Sequence, residues 1–312
     1  MERKLSSTRE AAGVAVLELA KEGRDVVAVS ADTSKSMYTT LLKDDFSDRF
    51  IDTGIAEQNM MMVAAGLASC GKTAYVASYS VFTSMRCCEQ VRTFIAYPGL
   101  DVKIIAGIGG LSAGIEGVTH VATEDLGIMR CVANVAVLAP ADAVATKKAV
   151  KAAADFSGPV YIRVGRDPSD TLFDDSYDFK IGYPVLHKEG KDITLMGCGL
   201  ILSEVLKAAD ILANEGIDAG VVEVHTLAPI SSTEIIEQEA AKTKKVITVE
   251  EHNITGGLGT VISEILFGQD IQLKKMGLPN CFAETGTPAE LVHKFGLDSE
   301  NIVKEAKKLL NK

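Results

Sequence analysis

Ile51-Asp-Thr-Gly-Ile-Ala-Glu57-Gln-Asn-Met-Met-Met-Val-Ala-Ala-Gly-Leu-Ala-Ser-Cys-Gly71 is the stretch on which the reading of this chain turns. A short strand runs into Gly54, and a helix of small and apolar residues follows, with Gly71 placed to stop it. Glu57 stands where a sheet edge meets a helix N-terminus, a place where open α/β folds bind ligands. Position alone favours a plainer role, an acid in a first turn stabilised by the helix dipole. The residues around it tip the balance toward a ligand.

Outward from that stretch, helical and strand-like segments alternate. Residues 6–21 read as a helix, with Ser7-Thr-Arg-Glu10 as a capping box. Residues 25–30, 73–79, 102–106, 135–138 and 160–164 read as strands, and 82–96 and 141–154 as helices. A Gly-rich loop is expected over 107–119. Residues 167–191, with several aspartates, prolines and glycines, break the rhythm and read as a linker or edge segment. Strands at 193–196, 219–223, 245–249 and 271–276 then build a second unit. The expectation is an α/β protein of two doubly wound domains with mostly parallel sheets, 1–168 and 191–312, joined by 169–190.

The composition agrees. A length of 312 residues suggests about two domains, and 47% hydrophobic with 24% charged residues suits large cores rather than disorder. A net charge of −10 argues against nucleic acid as the main partner. The six cysteines form no Cys-x-x-Cys pair and lie in apolar sequence, so buried free thiols in a reducing compartment are expected. The N-terminus lacks the apolar core of a secretion signal, and no segment approaches a membrane span. A cytoplasmic location is the expectation.

Asp52-x-Gly-Ile-Ala-Glu57-Gln-Asn, its small-residue helix and Tyr79-Ser-Val-Phe82 together resemble the pyrimidine-binding domain of transketolases and deoxyxylulose-phosphate synthases. The resemblance runs from about residue 5 to the C-terminus, with several motifs in the same order. It implies a thiamine-diphosphate-binding fold followed by a transketolase C-terminal-like domain. It implies that Glu57 contacts a ring nitrogen of the cofactor's aminopyrimidine, favouring the tautomer that takes the proton from the thiazolium carbon. A carboxyl kept from water suits such proton sharing. Phe82-x-x-x-Arg86 has the spacing of two-chain transketolases, so Phe82 is the stacking ring, with Tyr79 the second candidate.

By the same resemblance, Gly117-Val-Thr-His120 places His120 beside the reactive carbon, where it serves a developing alkoxide. Glu116 stands near an acid that meets the acceptor sugar. Arg166, in Tyr161-Ile-Arg-Val-Gly-Arg166, matches a phosphate-binding arginine, and a guanidinium fork suits phosphate geometry. The alternative for Arg166 is an ion pair with Asp167 or Asp170. Arg163 falls on the opposite strand face and is the poorer candidate. Arg9 and Ser36 match positions near the phosphate, and Asp32 matches cofactor or dimer contacts. Glu250-Glu-His-Asn-Ile-Thr-Gly-Gly-Leu-Gly259 reads as structural, because two acids precede its glycines. His225 and His252 carry no catalytic expectation.

Ile108 and Val121 depart from the family pattern, replacing a His that meets the donor sugar and a frequent Gln. A less polar pocket and a shorter or modified ketose donor are expected from that. No Gly-Asp-Gly motif for Mg²⁺ and the diphosphate occurs. The resemblance therefore implies half a site, completed by a separate N-terminal, diphosphate-binding subunit that holds most of the Mg²⁺ contacts, in an α2β2 assembly. The expected activity is transfer of a two-carbon ketol unit from a ketose phosphate to an aldose. The rivals are a 2-oxoacid dehydrogenase-type β subunit and a non-catalytic scaffold subunit.

Overall fold

In the computed structural model, which describes residues 4–312, two α/β units pack into one body. The first three residues of the expected N-terminal domain lie outside this description. The larger sheet has seven strands in the order Thr226–Ala228, Ala136–Leu138, Val160–Arg163, Val102–Gly107, Thr73–Tyr79, Val26–Ser30 and Phe50–Asp52. All neighbours are parallel except the first pair, which is antiparallel.

Alternation along one strand shows how the sheet is covered. In Val26–Ser30, Val26 and Ala28 pack under the helices Thr8–Lys21 and Ala143–Asp155, beside Ala15, Val16 and Val150. Val27 and Val29 face the other way, onto Met60, Met61 and Ala64 of the helix Glu57–Ser69. Successive strand residues point to opposite faces, so a strand buried on both sides reads as an unbroken apolar run. Met60 and Met61 are each fully buried, a burial that contributes about 2 kcal/mol per side chain.

The second sheet runs Gln272–Leu278, Lys245–Asn253, Ile193–Gly197, Ala219–Glu223 and Val185–Lys188, with only the last strand antiparallel. Leu202–Asn214 and Ser299–Leu310 cover one face, and Glu234–Thr243 and Leu258–Ile265 the other. One continuous apolar cluster joins Val137 and Leu227 of the first sheet to Met196 and Val222 of the second. The units therefore share a core. Among the described residues no helix is long and apolar enough to cross a membrane.

Several sequence expectations change here. The first helix begins at Thr8, capped by the Ser7 hydroxyl on the Glu10 N–H at 3.2 Å, because Leu5–Ser6 is taken by a short antiparallel pair with Ser169–Asp170. The expected helix over 82–96 is two wide π-helical segments, Phe82–Arg86 and Gln90–Ala96. The 107–119 loop holds a 3-10 turn over Gly110–Glu116. The 167–191 segment supplies two strands, Ser169–Asp170 and Val185–Lys188. The cysteines are free, but only Cys87 and Cys198 are buried and Cys88 is partly so. Cys70 and Cys131 end helices and Cys281 lies in a loop, and such ends face solvent.

Candidate active site

The candidate residues collect at the carboxyl ends of the large sheet's parallel strands, on the loops that follow them. Glu57 opens the helix after Phe50–Asp52, and Tyr79 ends Thr73–Tyr79 with Phe82 just beyond. His120 closes the loop after Val102–Gly107, Arg166 follows Val160–Arg163, and Ser36 follows Val26–Ser30. Parallel topology sends all these loops to one edge, so residues distant in sequence converge.

They form a continuous line of contacts. The Glu57 carboxylate is 4% exposed and accepts from Arg86 Nη1 at 2.7 Å. The Arg86 guanidinium lies over the Phe82 ring, 4.1 Å from its centre. Phe82 meets His120 at 5.3 Å between ring centres, in an edge-to-face arrangement, and Tyr79 at 6.0 Å. Tyr79 also approaches His120 at 5.9 Å. The Tyr79 hydroxyl donates to Ser36 Oγ at 3.2 Å, and Ser36 accepts from Arg9 Nη1 at 2.8 Å. Arg9 Nη2 donates to the Arg166 carbonyl, and Arg166 Nε donates to Glu116 at 3.2 Å.

Asp32 stands apart from this line. It is exposed, in the left-handed region at φ 57°, and its N–H donates to Asp52 Oδ1 at 2.9 Å.

At the arginine end the geometry suits an anion. Burial, with the charge of nearby Arg166, lowers the affinity of Arg9 for its proton, and Arg9 Nε is buried without a hydrogen-bond partner. Two neighbouring guanidiniums and an orphaned donor are relieved by an anion such as phosphate. Arg9, Tyr38 and Arg166 line a recess of about 450 Å³. Arg166 also pairs with Asp167 at 2.8 Å, so the linker ion pair that was its alternative role is present.

At the Glu57 end the residues fit an aminopyrimidine. A planar group rich in N–H already bonds the buried carboxylate edge-on and covers an aromatic ring face-on. His120 Nδ1 is 2.9 Å from the Thr119 hydroxyl, which fixes one edge of the imidazole.

Behind the site the structure assigns structural work. Arg163 donates to the carbonyls of Ala122 and Glu251, each at 2.8 Å, and pairs with buried Asp125 at 3.4 Å. A Cβ on Gly109 would meet the Arg163 side chain at 2.5 Å, so glycine is required where the loop crosses it. The Glu250 carboxylate accepts from the N–H groups of Leu258 and Gly259 at 2.6 and 2.8 Å. The acid itself fills the anion position at that helix start. His225 and His252 are fully buried, and His252 accepts from the Gly127 N–H.

Ile108 and Val121, from which a less polar pocket was expected, are 2% and 5% exposed and belong to the apolar cluster that continues into the second unit. Ile108 adopts φ 51°, a left-handed conformation strained for a β-branched residue. Sequence reasoning gave no role to Arg86. Its signal was the four-residue spacing from Phe82, which brings side chains together on a helical turn.

Residues 5–169 match the family described as "Transketolase, pyrimidine binding domain", and 182–302 match "Transketolase, C-terminal domain". The chain is 37% identical to a 6-deoxy-6-sulfo-D-fructose transketolase subunit of Clostridium sp. (strain MSTE9), over 93% of this chain and 90% of that one. It is 33% identical to one of the subunits of the apulose-4-phosphate transketolase of Phocaeicola vulgatus, over 95% of each chain. A solved structure described as a split gene transketolase, inactive beta4 tetramer, superposes with a TM-score of 0.91 at 41% identity, over 98% of both chains. Human transketolase is 32% identical over 98% of this chain, which spans 49% of it.

Proposed function

The chain belongs to the transketolase family, as a C-terminal transketolase subunit, and we propose that it supplies the pyrimidine half of a thiamine-diphosphate site completed by a separate N-terminal subunit. The family activity is transfer of a two-carbon ketol unit from a ketose phosphate to an aldose, and thiamine diphosphate is a family property. The unbroken contact line from Glu57 to Arg166 carries the assignment of the site. Thiamine diphosphate, when bound, would supply the carbanion chemistry that ketol transfer needs.

In this reading Glu57 donates or accepts the proton at the pyrimidine edge, and Phe82 supports the ring face, with Tyr79 behind it and Asp32 at the rim. His120 donates to the oxyanion that develops as a sugar carbonyl is attacked. Arg166, Arg9 and Ser36 hold the phosphate, and Glu116 is freed from Arg166 to meet an acceptor hydroxyl. Among the described residues, no group of three or more His, Cys, Asp or Glu side chains is arranged to hold a metal ion. In this reading the Mg²⁺ that accompanies the diphosphate is held mainly by the partner, in an α2β2 assembly in the cytoplasm. In the same reading the chain divides into a pyrimidine-binding domain, 1–168, a linker, 169–190, and a C-terminal domain, 191–312.

Likeness to subunits of two-chain transketolases along almost their whole lengths supports the partner. The relative solved as a tetramer of β chains is described as inactive, which accords with half a site. The test is a ketol-transfer assay with thiamine diphosphate and Mg²⁺, with and without the N-terminal subunit from the same organism. Activity only in the mixture is the expected result. Activity of this chain alone would overturn the half-site reading.

A further inference from the structure

Arg86 lies between the two groups assigned to the cofactor's pyrimidine. It bonds Glu57 edge-on at 2.7 Å and covers Phe82 face-on, with Cζ 4.1 Å from the ring centre. An aminopyrimidine held by the same two residues would make the same pair of contacts. A ring stacked on that same face of Phe82 and bonded to that same oxygen of Glu57 would meet the guanidinium.

We propose that Arg86 takes the pyrimidine's place in the cofactor-free chain, and that its side chain must swing out before thiamine diphosphate can bind. This inference rests on the reading of Glu57 and Phe82 given above. Arg86 is thus a positioning residue whose release sets cofactor affinity.

Three features suit it to leave without dragging the fold with it. Its side chain is 45% exposed, against 4% for Glu57, so solvent lies on its free side. Its backbone is tied down separately, with Gln58 Nε2 donating to the Arg86 carbonyl at 3.2 Å. The hydroxyls of Thr83 and Ser84 anchor the same turn to the Ser80 carbonyl at 3.2 and 2.6 Å. The contact also has a reason to exist. A buried carboxylate without a partner is costly, and a cation on a flexible stem is a removable one.

The effect follows from population. Cofactor meets only the fraction of molecules in which Arg86 is out, and apparent affinity is reduced by that fraction. If about one molecule in ten is open, removing the side chain tightens binding about tenfold.

The experiment is calorimetric titration of thiamine diphosphate, with Mg²⁺ present, into this chain assembled with its N-terminal subunit. Arg86→Ala should lower the dissociation constant about tenfold. Arg86→Met, which keeps the apolar stem, should do the same and serves if the alanine variant assembles poorly. Arg86→Lys keeps the charge but not the plane and should fall between. Phe82→Ala is the control and should weaken binding. Unchanged or weaker binding by Arg86→Ala and Arg86→Met, with Phe82→Ala still weak, overturns the competitor while the site survives. No effect of Phe82→Ala would instead overturn the site reading, and the inference with it.

Discussion

Replacing Glu251 by Gln should remove a pH-dependent weakness from the fold. Glu251 is 8% exposed beside Arg163, and burial pushes its carboxyl up from the ordinary 4.5 to about 7, with the Arg163 charge opposing the rise. A folded-state value above the unfolded one means that the folded chain holds the proton more tightly. The associated stability is fully present below about pH 4.5 and is lost as the pH rises through about 7. Integrated between about pH 5.5 and about pH 8, this single carboxyl removes about 2 kcal/mol. The glutamine keeps the shape and does not titrate. Relative to the parent, it should gain about 3 kcal/mol at about pH 8 and only about 1 kcal/mol at about pH 5.5. Urea unfolding followed by circular dichroism at both pH values measures this, provided the denaturant slope is unchanged by the substitution. Glu250, also raised by burial to about 7, titrates in both proteins and cancels. Equal stability losses in parent and variant across the two pH values would refute the reasoning.

Glu57→Ala should lower turnover of the assembled enzyme about a thousandfold or more. Its thermal stability should shift by less than about 1 kcal/mol, because the orphaned Arg86 is free to turn to solvent; steady-state kinetics and melting curves read the two effects. Arg9→Ala and Arg166→Ala should each raise KM for a phosphorylated donor about tenfold or more while sparing an unphosphorylated one. A uniform loss on both donors would remove the phosphate assignment. Arg163→Met should destabilise the chain by about 3–5 kcal/mol, since it leaves buried Asp125 without its cation. Unfolding midpoints equal to the parent's would show that Arg163 does not join the loop to the second unit.

Alternating apolar segments exposed most of the fold, because strands covered on both faces read as continuous runs whatever their partners. Val26–Ser30 and Val102–Gly107 are of this kind. Thr226–Ala228 was not legible, since its partner is Ala136–Leu138 in the other unit and nothing local marks so short a strand. The π-helical segment Phe82–Arg86 escaped for a related reason: Thr83 and Ser84 bond back to the Ser80 carbonyl beside the strand end. In the site, the resemblance to transketolases singled out Glu57, Phe82, His120 and Arg166. Their contacts, and the position of Arg86 between Glu57 and Phe82, depend on the angle at which separate loops meet, which spacing does not carry. The burial of Ile108 in the apolar cluster that continues into the second unit is likewise a tertiary placement that its residue type does not give.

The antiparallel strand Thr226–Ala228 gives the first sheet a timetable. A ribosome that has delivered residue 138 must go on to residue 226 before Ala136–Leu138 gains its outer neighbour, a wait on the order of ten seconds at ordinary synthesis rates. Throughout that interval the nascent first unit shows an unfinished parallel sheet edge, the sort of surface that recruits other chains. A chaperone should therefore remain bound until the middle of the second unit has emerged. A chain severed in the linker should stay together as two fragments, and neither fragment made alone should remain in solution.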